Sequence, residues 1–342
     1  MNENPNDVLH FPTPSPPGTT KVLALSGGVG GAKGAQALLE ASLPRGSGFE
    51  PRELLVVCNT GDDFEHVGLH VAPDLDSVMY RLGGLHDSER GWGRRDESWN
   101  FLESLVQLGG PAWFRLGDRD LATHVERTAR LHAGETLSEI TAALCSALGI
   151  RCRVAPMSDD AVRTEVESDG GTWLEFQEYF VKLRCEPEVR SFRFRGAEDA
   201  RPAPALAAAL ADEALERVVI CPSNPFVSVD PILAVPGVTD GLRALVERGV
   251  PVIAVSPIVG GQAIKGPAAK MMAELEMPVT ATAVAAHYSR RGVISHVLID
   301  PEDAEQANDI ADLGVDVMIE ESVMVDEVTR RGLARALLEP RL

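Results

Sequence analysis

KVLALSGGVGGAKGAQALLE, residues 21–40, decides the fold class of this chain. Residues 21–25 read as a buried strand, SGGVGGAKG (26–34) as a glycine turn, and the residues from Ala35 past Leu39 as a helix. Residues 54–58 predict a second strand that breaks into NTGDD (59–63), and PDLD (73–76) follows one loop later. Strand, glycine turn, helix and strand make the parallel unit of a Rossmann-like, doubly wound α/β fold. Such folds bind ligands outside the carboxyl ends of their strands. One loop then offers backbone N–H groups for phosphate, and the other offers carboxylates for a metal.

Working outward, residues 76–82 predict a short helix and GGLHDSERGWGRRDES (83–98) a long irregular loop. Its glycines and the tryptophans Trp92 and Trp99 suit a lid over a binding site. Helices are expected over 99–108, 121–133 and 137–148. Together they form a helical insertion of about residues 80–149, with no strand between 79 and 150. The β-branched and aromatic stretches 151–155, 164–167, 173–182 and 190–194 read as a mixed, partly antiparallel β segment. The alanine-rich 203–211 reads as a helix. Parallel βα alternation then returns, with strands over 217–221 and 251–255 that end in PSNP (222–225) and SPIVGG (256–261). Later strands are expected at 293–299 and 315–319, and helices at 266–275, 302–313 and 323–338. The whole reads as one α/β domain over 21–342, with a mainly parallel sheet. The proline-rich residues 1–20 read as a disordered leader.

Composition narrows the function. A formal net charge of −19, from 51 acidic against 32 basic residues, argues against nucleic acid and anionic membranes as partners. No apolar run reaches the length of a membrane span, and the first twenty residues lack the apolar centre of a signal peptide. Cys58, Cys145, Cys152, Cys185 and Cys221 are scattered with no metal or redox spacing, which predicts reduced thiols and a cytoplasmic protein.

The glycine turn is not a Walker A loop, because Ala32 and Gly34 replace the glycine and hydroxyl that motif requires. Nor is it GxGxxG, since Lys33 stands in the third position. Gly27, Gly28, Gly30 and Gly31 still let the backbone approach an anion at a helix N-terminus, with Lys33 beside them. A tight turn without a ligand is the alternative. Asp62, Asp63, Asp74 and Asp76 crowd four carboxylates into adjacent loops, which calls for a cation or strong donors. Mg²⁺ takes one or two carboxylates and completes its shell with water and phosphate. Helix capping by Asp74 or Asp76 is the competing role. LGDRDLATH (116–124) adds Asp118, Arg119, Asp120 and His124, with Arg115 just before, either as a helix start or as a ligand-reading cluster. Ser223, Asn224, Lys265 and Lys270 follow later strands and could read a nucleotide or serve as ordinary turn residues. Trp92, Trp99, Trp113, Phe101 and Phe114 could wall a flat aromatic ligand or simply pack.

In this order, SGGVGGAKGAQ, NTGDD, PDLD, GWGRRDESW, LGDRDLATH, PMSDD, PSNP and SPIVGGQAIKGPAAK resemble the CofD family. These are the 2-phospho-L-lactate transferases of coenzyme F-420 biosynthesis. The resemblance runs from about residue 21 to beyond 286. It implies that a phospho-acyl group (phospholactyl, phosphoenolpyruvyl or phosphoglyceryl) passes from a guanosine diphosphate ester to the ribityl hydroxyl of the deazaflavin Fo. GMP leaves, Mg²⁺ assists, and the enzyme is a homodimer. Fo binding maps onto Asp76 and Arg115, with Trp92 and Trp99 closing over it. The metal maps onto Asp62 and Asp76, with Asp74 in reserve, and Asp63 is a candidate base. The guanosine part rests against the loops of Ser223, Asn224 and Gly260, near Lys265. Two other readings compete: a non-enzymatic, nucleotide-sugar-binding regulator of the YvcK type, and a dinucleotide-dependent oxidoreductase. The donor's acyl part is not legible in the sequence.

Overall fold

Five consecutive buried residues in each of VLALS and LLVVC are what a parallel strand covered on both faces requires. In the computed structural model, which describes residues 19–43 and 48–339, these form strands β1 (Val22–Ser26) and β2 (Leu54–Cys58). They pair in parallel from Val22 opposite Leu54 to Ser26 opposite Cys58. Five more strands complete the sheet: β3 (Arg153–Pro156), β4 (Arg217–Ile220), β5 (Val252–Val255), β6 (His296–Ile299) and β7 (Asp316–Ile319). The order across the sheet is β7-β6-β5-β4-β1-β2-β3, with every pairing parallel. The order reverses between β1 and β4, so their carboxyl ends open the crevice where such sheets bind ligands. The Rossmann-like reading of the sequence holds.

Several boundaries differ from expectation. Helix α1 (Gly28–Ala41) begins inside the glycine turn rather than after it. Helix α2 (Pro73–Leu82) takes PDLD as its first turn, where Pro73 loses no bond because the first-turn N–H groups have no intrahelical acceptor. The stretch 151–155 was expected in the mixed segment; as β3 it instead forms the edge of the main sheet beside β2. The antiparallel segment is therefore three strands, Arg163–Ser168, Thr172–Glu175 and Val189–Arg195. Expected strand 173–182 stops early, because the chain coils into a wide helical turn over Glu178–Lys182. Two short hairpins escaped the sequence reading, Phe64–His66 with Leu69–Val71 and Ile258–Val259 with Gln262–Ala263. Both are too short to show a period.

Between β2 and β3 the insertion carries α3 (Asn100–Gln107), α4 (Asp118–His132) and α5 (Leu137–Ala147). Past Met79 and before Ile150 the described residues hold no strand, only an isolated bridge between His86 and Arg94. The last helix, Glu327–Leu338, lays Leu333, Ala334 and Leu337 into the same core as Ala35 and Leu38 of α1. Arg330 of that helix pairs with Glu40 at 2.7 Å. All five cysteines are free, and burial pushes the Cys152 and Cys221 thiols up to about 12. Among the described residues no helix is long and apolar enough to cross a membrane. The expected leader lies, but for residues 19 and 20, outside the described residues.

Candidate active site

The first and fourth strands end against each other, and glycine makes the contact possible. A Cβ on Gly30 would stand 2.1 Å from the Pro222 carbonyl oxygen, and one on Gly31 would stand 2.5 Å from Ser223 Oγ. The Ser223 hydroxyl accepts from the Gly27 N–H (3.1 Å) and donates to the Gly27 carbonyl (2.9 Å). Expected as a nucleotide contact, this buried serine instead ties the two loops together. Gly28 sits at φ +64, and α1 starts there with no side-chain cap. First-turn amides have no intrahelical acceptor, so those of Val29 and Gly30, which line the adjoining cavity, are available to an anion bound there.

The acidic loops meet this turn. Asp74 Oδ1 accepts from the Gly28 N–H at 2.7 Å, and its Oδ2 accepts from Asn59 Nδ2 at 2.9 Å. Asn59 also donates to the Val227 carbonyl and accepts from the Gly61 N–H, so this residue, missed in the sequence, organises NTGDD. Asp62 is buried, and its Oδ1 has no hydrogen-bond partner among the described residues. Burial, then the charge of Asp74, pushes the Asp62 carboxyl well above the usual carboxylate range. Burial raises Asp74 to about 6, against the pull of its Asn59 and Gly28 bonds.

This arrangement has a pH signature. The folded chain binds the Asp74 proton more tightly than the unfolded chain, so the associated stability is complete below about pH 4 and lost as pH rises through about 6. Set against Asp74→Asn, melts of the metal-free wild type should show an additional loss on the order of 3 kcal/mol across that window. A difference between the two that stays flat from about pH 4 to 7 would refute it.

The other two aspartates are engaged differently. Asp63 Oδ2 faces His70 Nε2 at 3.0 Å, outside the cavity lining. Asp76 meets the guanidinium of Arg127, a fully buried residue absent from the sequence reading, through both carboxylate oxygens. The Nη1 contact measures 3.1 Å. Arg127 Nη1 also lies 3.3 Å from His124 Nδ1, and Tyr80 donates to Asp120 at 2.5 Å. Burial and the nearby Asp120 and Asp76 charges push the Tyr80 hydroxyl well up, so it stays a donor. Asp118 accepts from the Asn100 and Phe101 amides at the start of α3, while Glu97 accepts from those of Arg119 and Asp120 at the start of α4. That exchange fastens the long loop to two helices. Within it Arg90 lies over Trp92 (5.5 Å) and Trp99 (5.2 Å), and Arg115 covers Trp99 at 4.5 Å.

A cavity of about 600 Å³ joins these parts. Its floor is Gly27, Gly28, Gly30, Asp62, Asp74 and Asp76. Lys33 and Lys265 bring positive charge, and burial followed by Arg81 and Lys265 lowers the Lys33 ammonium from its ordinary value. Trp92, Trp113 and Phe114 form one apolar wall; Phe176, Phe180 and Val181, from the turn between the second and third antiparallel strands, form another. The second wall had no sequence signal, because nothing local shows that this segment returns over the crevice. The family model of 2-phospho-L-lactate transferase CofD matches residues 22–335. The chain belongs to the CofD family. A phosphoenolpyruvate transferase of Streptomyces griseus is 42% identical over 323 residues, covering 93% of this chain and 98% of the relative. One of Mycobacterium avium is 40% identical over 341 residues, covering 94% and 100%. The solved structure of protein BH3568 from Bacillus halodurans superimposes with a TM-score of 0.61 at 15% identity, covering 94% of this chain and all of that one, a likeness of fold alone. As a CofD member, the chain is an enzyme that transfers a phospho-group in coenzyme F-420 biosynthesis.

For this CofD transferase, Asn224 and Arg115 also line the cavity, whereas Trp99, Gly31, Ser223 and Gly260 do not. Asn224 Oδ1 caps the following turn by accepting from the Phe226 N–H at 3.0 Å. The Gly260 N–H points at Asp303 (3.2 Å), and Lys270 reaches the Pro187 carbonyl on the antiparallel side. Among the described residues no group of three or more His, Cys, Asp or Glu side chains is placed to hold a metal ion. The three expected ligands therefore do not form one group, and Asp76 is paired with Arg127 instead. Asp62 and Asp74 do fit Mg²⁺: both are buried, both line the cavity, and Asp62 has an oxygen without a partner.

Proposed function

We propose that this CofD-family enzyme moves a phospho-acyl group from a guanosine diphosphate ester to the ribityl hydroxyl of Fo, releasing GMP. Phosphoenolpyruvyl is the favoured acyl part, after the names of its relatives. The observation that carries the reading is the single cavity that joins helix-start amides, two buried carboxylates and aromatic walls. Amides and cations suit a diphosphate, and the walls suit a flat tricyclic ring.

In this reading the Val29 and Gly30 amides, with Lys33 and Lys265, hold the diphosphate oxygens and stabilise charge that builds on them. Asp62 and Asp74 would hold Mg²⁺, which neutralises diphosphate charge when bound. Trp113, Phe114, Phe176 and Phe180 hold the deazaflavin ring and keep water from the activated ester. Asp76 accepts a hydrogen bond from the attacking hydroxyl. The new bond forms between that oxygen and phosphorus, while the bond from phosphorus to the GMP oxygen breaks. The hydroxyl proton is released to solvent. Positioning is the main contribution, as in other phosphoryl transfers.

The test is a mass-spectrometric assay with Fo, Mg²⁺ and each of the three guanylated donors. The expected result is a mass gain on Fo with stoichiometric GMP, greatest with the phosphoenolpyruvyl donor. Tight guanine-nucleotide binding without conversion of Fo by any donor would overturn the proposal in favour of a non-enzymatic binder.

A further inference from the structure

We propose that Arg127 is a positioning residue that divides the acidic cluster in two, reserving Asp76 for the acceptor hydroxyl and leaving Asp62 and Asp74 for the cation. The inference rests on the acceptor reading given above, and goes beyond it by assigning work to a residue that touches no substrate. Arg127 lies on α4, is 0% exposed, and does not line the cavity, whereas the Asp76 it grips does. A guanidinium fork that meets both oxygens of a carboxylate fixes the plane of that carboxylate. It also supplies the compensating charge that a cation would otherwise provide.

The contrast within the cluster is sharp. Asp74 is held by neutral donors, the Gly28 amide and Asn59, while Asp62 keeps an oxygen with no partner. Neither has a cationic partner among the described ion pairs, and Asp76 alone of the three has one. The same Arg127 orders the neighbours of Asp76. Its Nη1 lies 3.3 Å from Nδ1 of the His124 ring, the ring nitrogen on the Asp76 side. Nε2 lies 3.3 Å from Asp120 Oδ1, the oxygen to which Tyr80 donates. Tyr80, Asp120, His124 and Asp76 all line the cavity, so one buried arginine sets the orientation of a row of polar groups along its wall. That row suits the hydroxyl-bearing chain of an acceptor, for which fixed acceptors matter more than net charge.

Two comparisons test this on the full-length chain. In the first, Mn²⁺ alone is titrated and followed by electron paramagnetic resonance. Asp62→Asn should weaken binding about tenfold or more, a loss of about 1.4 kcal/mol, while Asp76→Asn stays within about threefold of wild type. Equal weakening by both, or no Mn²⁺ binding by wild type, would overturn the division. In the second, Arg127→Lys, Asp76→Asn and the double variant are assayed with Fo and the guanylated donor. Arg127→Lys keeps the charge and loses the fork, so it is chosen over neutral substitutions that leave Asp76 buried without a partner. Each single change should lower kcat/KM for Fo by about 30-fold and leave donor KM within about threefold. The double variant should be no worse than Asp76→Asn by more than about twofold, because both act through one carboxylate. Additive losses, or donor KM rising with that for Fo, would show Arg127 to be a general structural residue and sink the proposal. Should wild type fail to convert Fo, the acceptor reading falls by itself, and the manganese comparison still judges the division of the carboxylates.

Discussion

Replacing Gly30 with alanine is expected to destabilise the chain by about 3 kcal/mol or more and to reduce turnover to background. The added methyl would stand 2.1 Å from the Pro222 carbonyl oxygen, which belongs to a loop that cannot step aside as a flexible side-chain tip can. Overpacking a tight contact costs about 1–3 kcal/mol when side chains can adjust; here two backbones must separate. Their separation also breaks the Ser223 bridge to Gly27 and tilts the start of α1, so the amides no longer converge on an anion. Urea unfolding reads the effect as a fall in midpoint at unchanged slope. Gly332→Ala is the control: its Cβ would meet nothing within 4 Å, and in the middle of the last helix alanine should stabilise by up to about 1 kcal/mol. A Gly30→Ala protein as stable as the control would show that the two loops do not touch.

Asp62→Asn and Asp76→Ala should both lower turnover by about 100-fold or more, but only Asp76→Ala should destabilise the fold. Asp76 neutralises a fully buried guanidinium. Its removal strands the Arg127 charge, a loss of about 3–5 kcal/mol for a broken buried pair. Asp62 is the reverse case, a buried carboxylate with one oxygen unpartnered and Asp74 repelling it. Losing that charge should leave the metal-free protein as stable as wild type, or more stable by about 1–2 kcal/mol at pH 7. Melting curves in chelator, set beside initial rates, read both quantities. Equal destabilisation by the two changes would mean that the cluster is one ion-pair network rather than a paired and an unpaired half.

The strands were legible because parallel strands covered on both faces must be continuously apolar. VLALS and LLVVC announce themselves, and the observed β1 and β2 differ from expectation by one residue at most. Helix starts were less legible. Glycine reads as turn, yet α1 begins at Gly28 because the close approach of Pro222 and Ser223 demands glycine within the helix itself. The stretch 151–155 carries the composition of any strand; only its register against Leu55–Cys58 shows which sheet receives it.

The sequence by itself determined the sheet class, the family resemblance and the crowding of four aspartates near a glycine-rich helix start, because composition and local spacing carry all three. Which of those aspartates faces a ligand, which is neutralised and which turns away was decided only by tertiary structure. Asp76 and Arg127 are 51 positions apart, Gly27 and Ser223 are 196, and the Phe176–Val181 wall lies a hundred residues beyond the acids it faces. Charge compensation and cavity shape depend on distances in space, and no local periodicity encodes a partner that far along the chain.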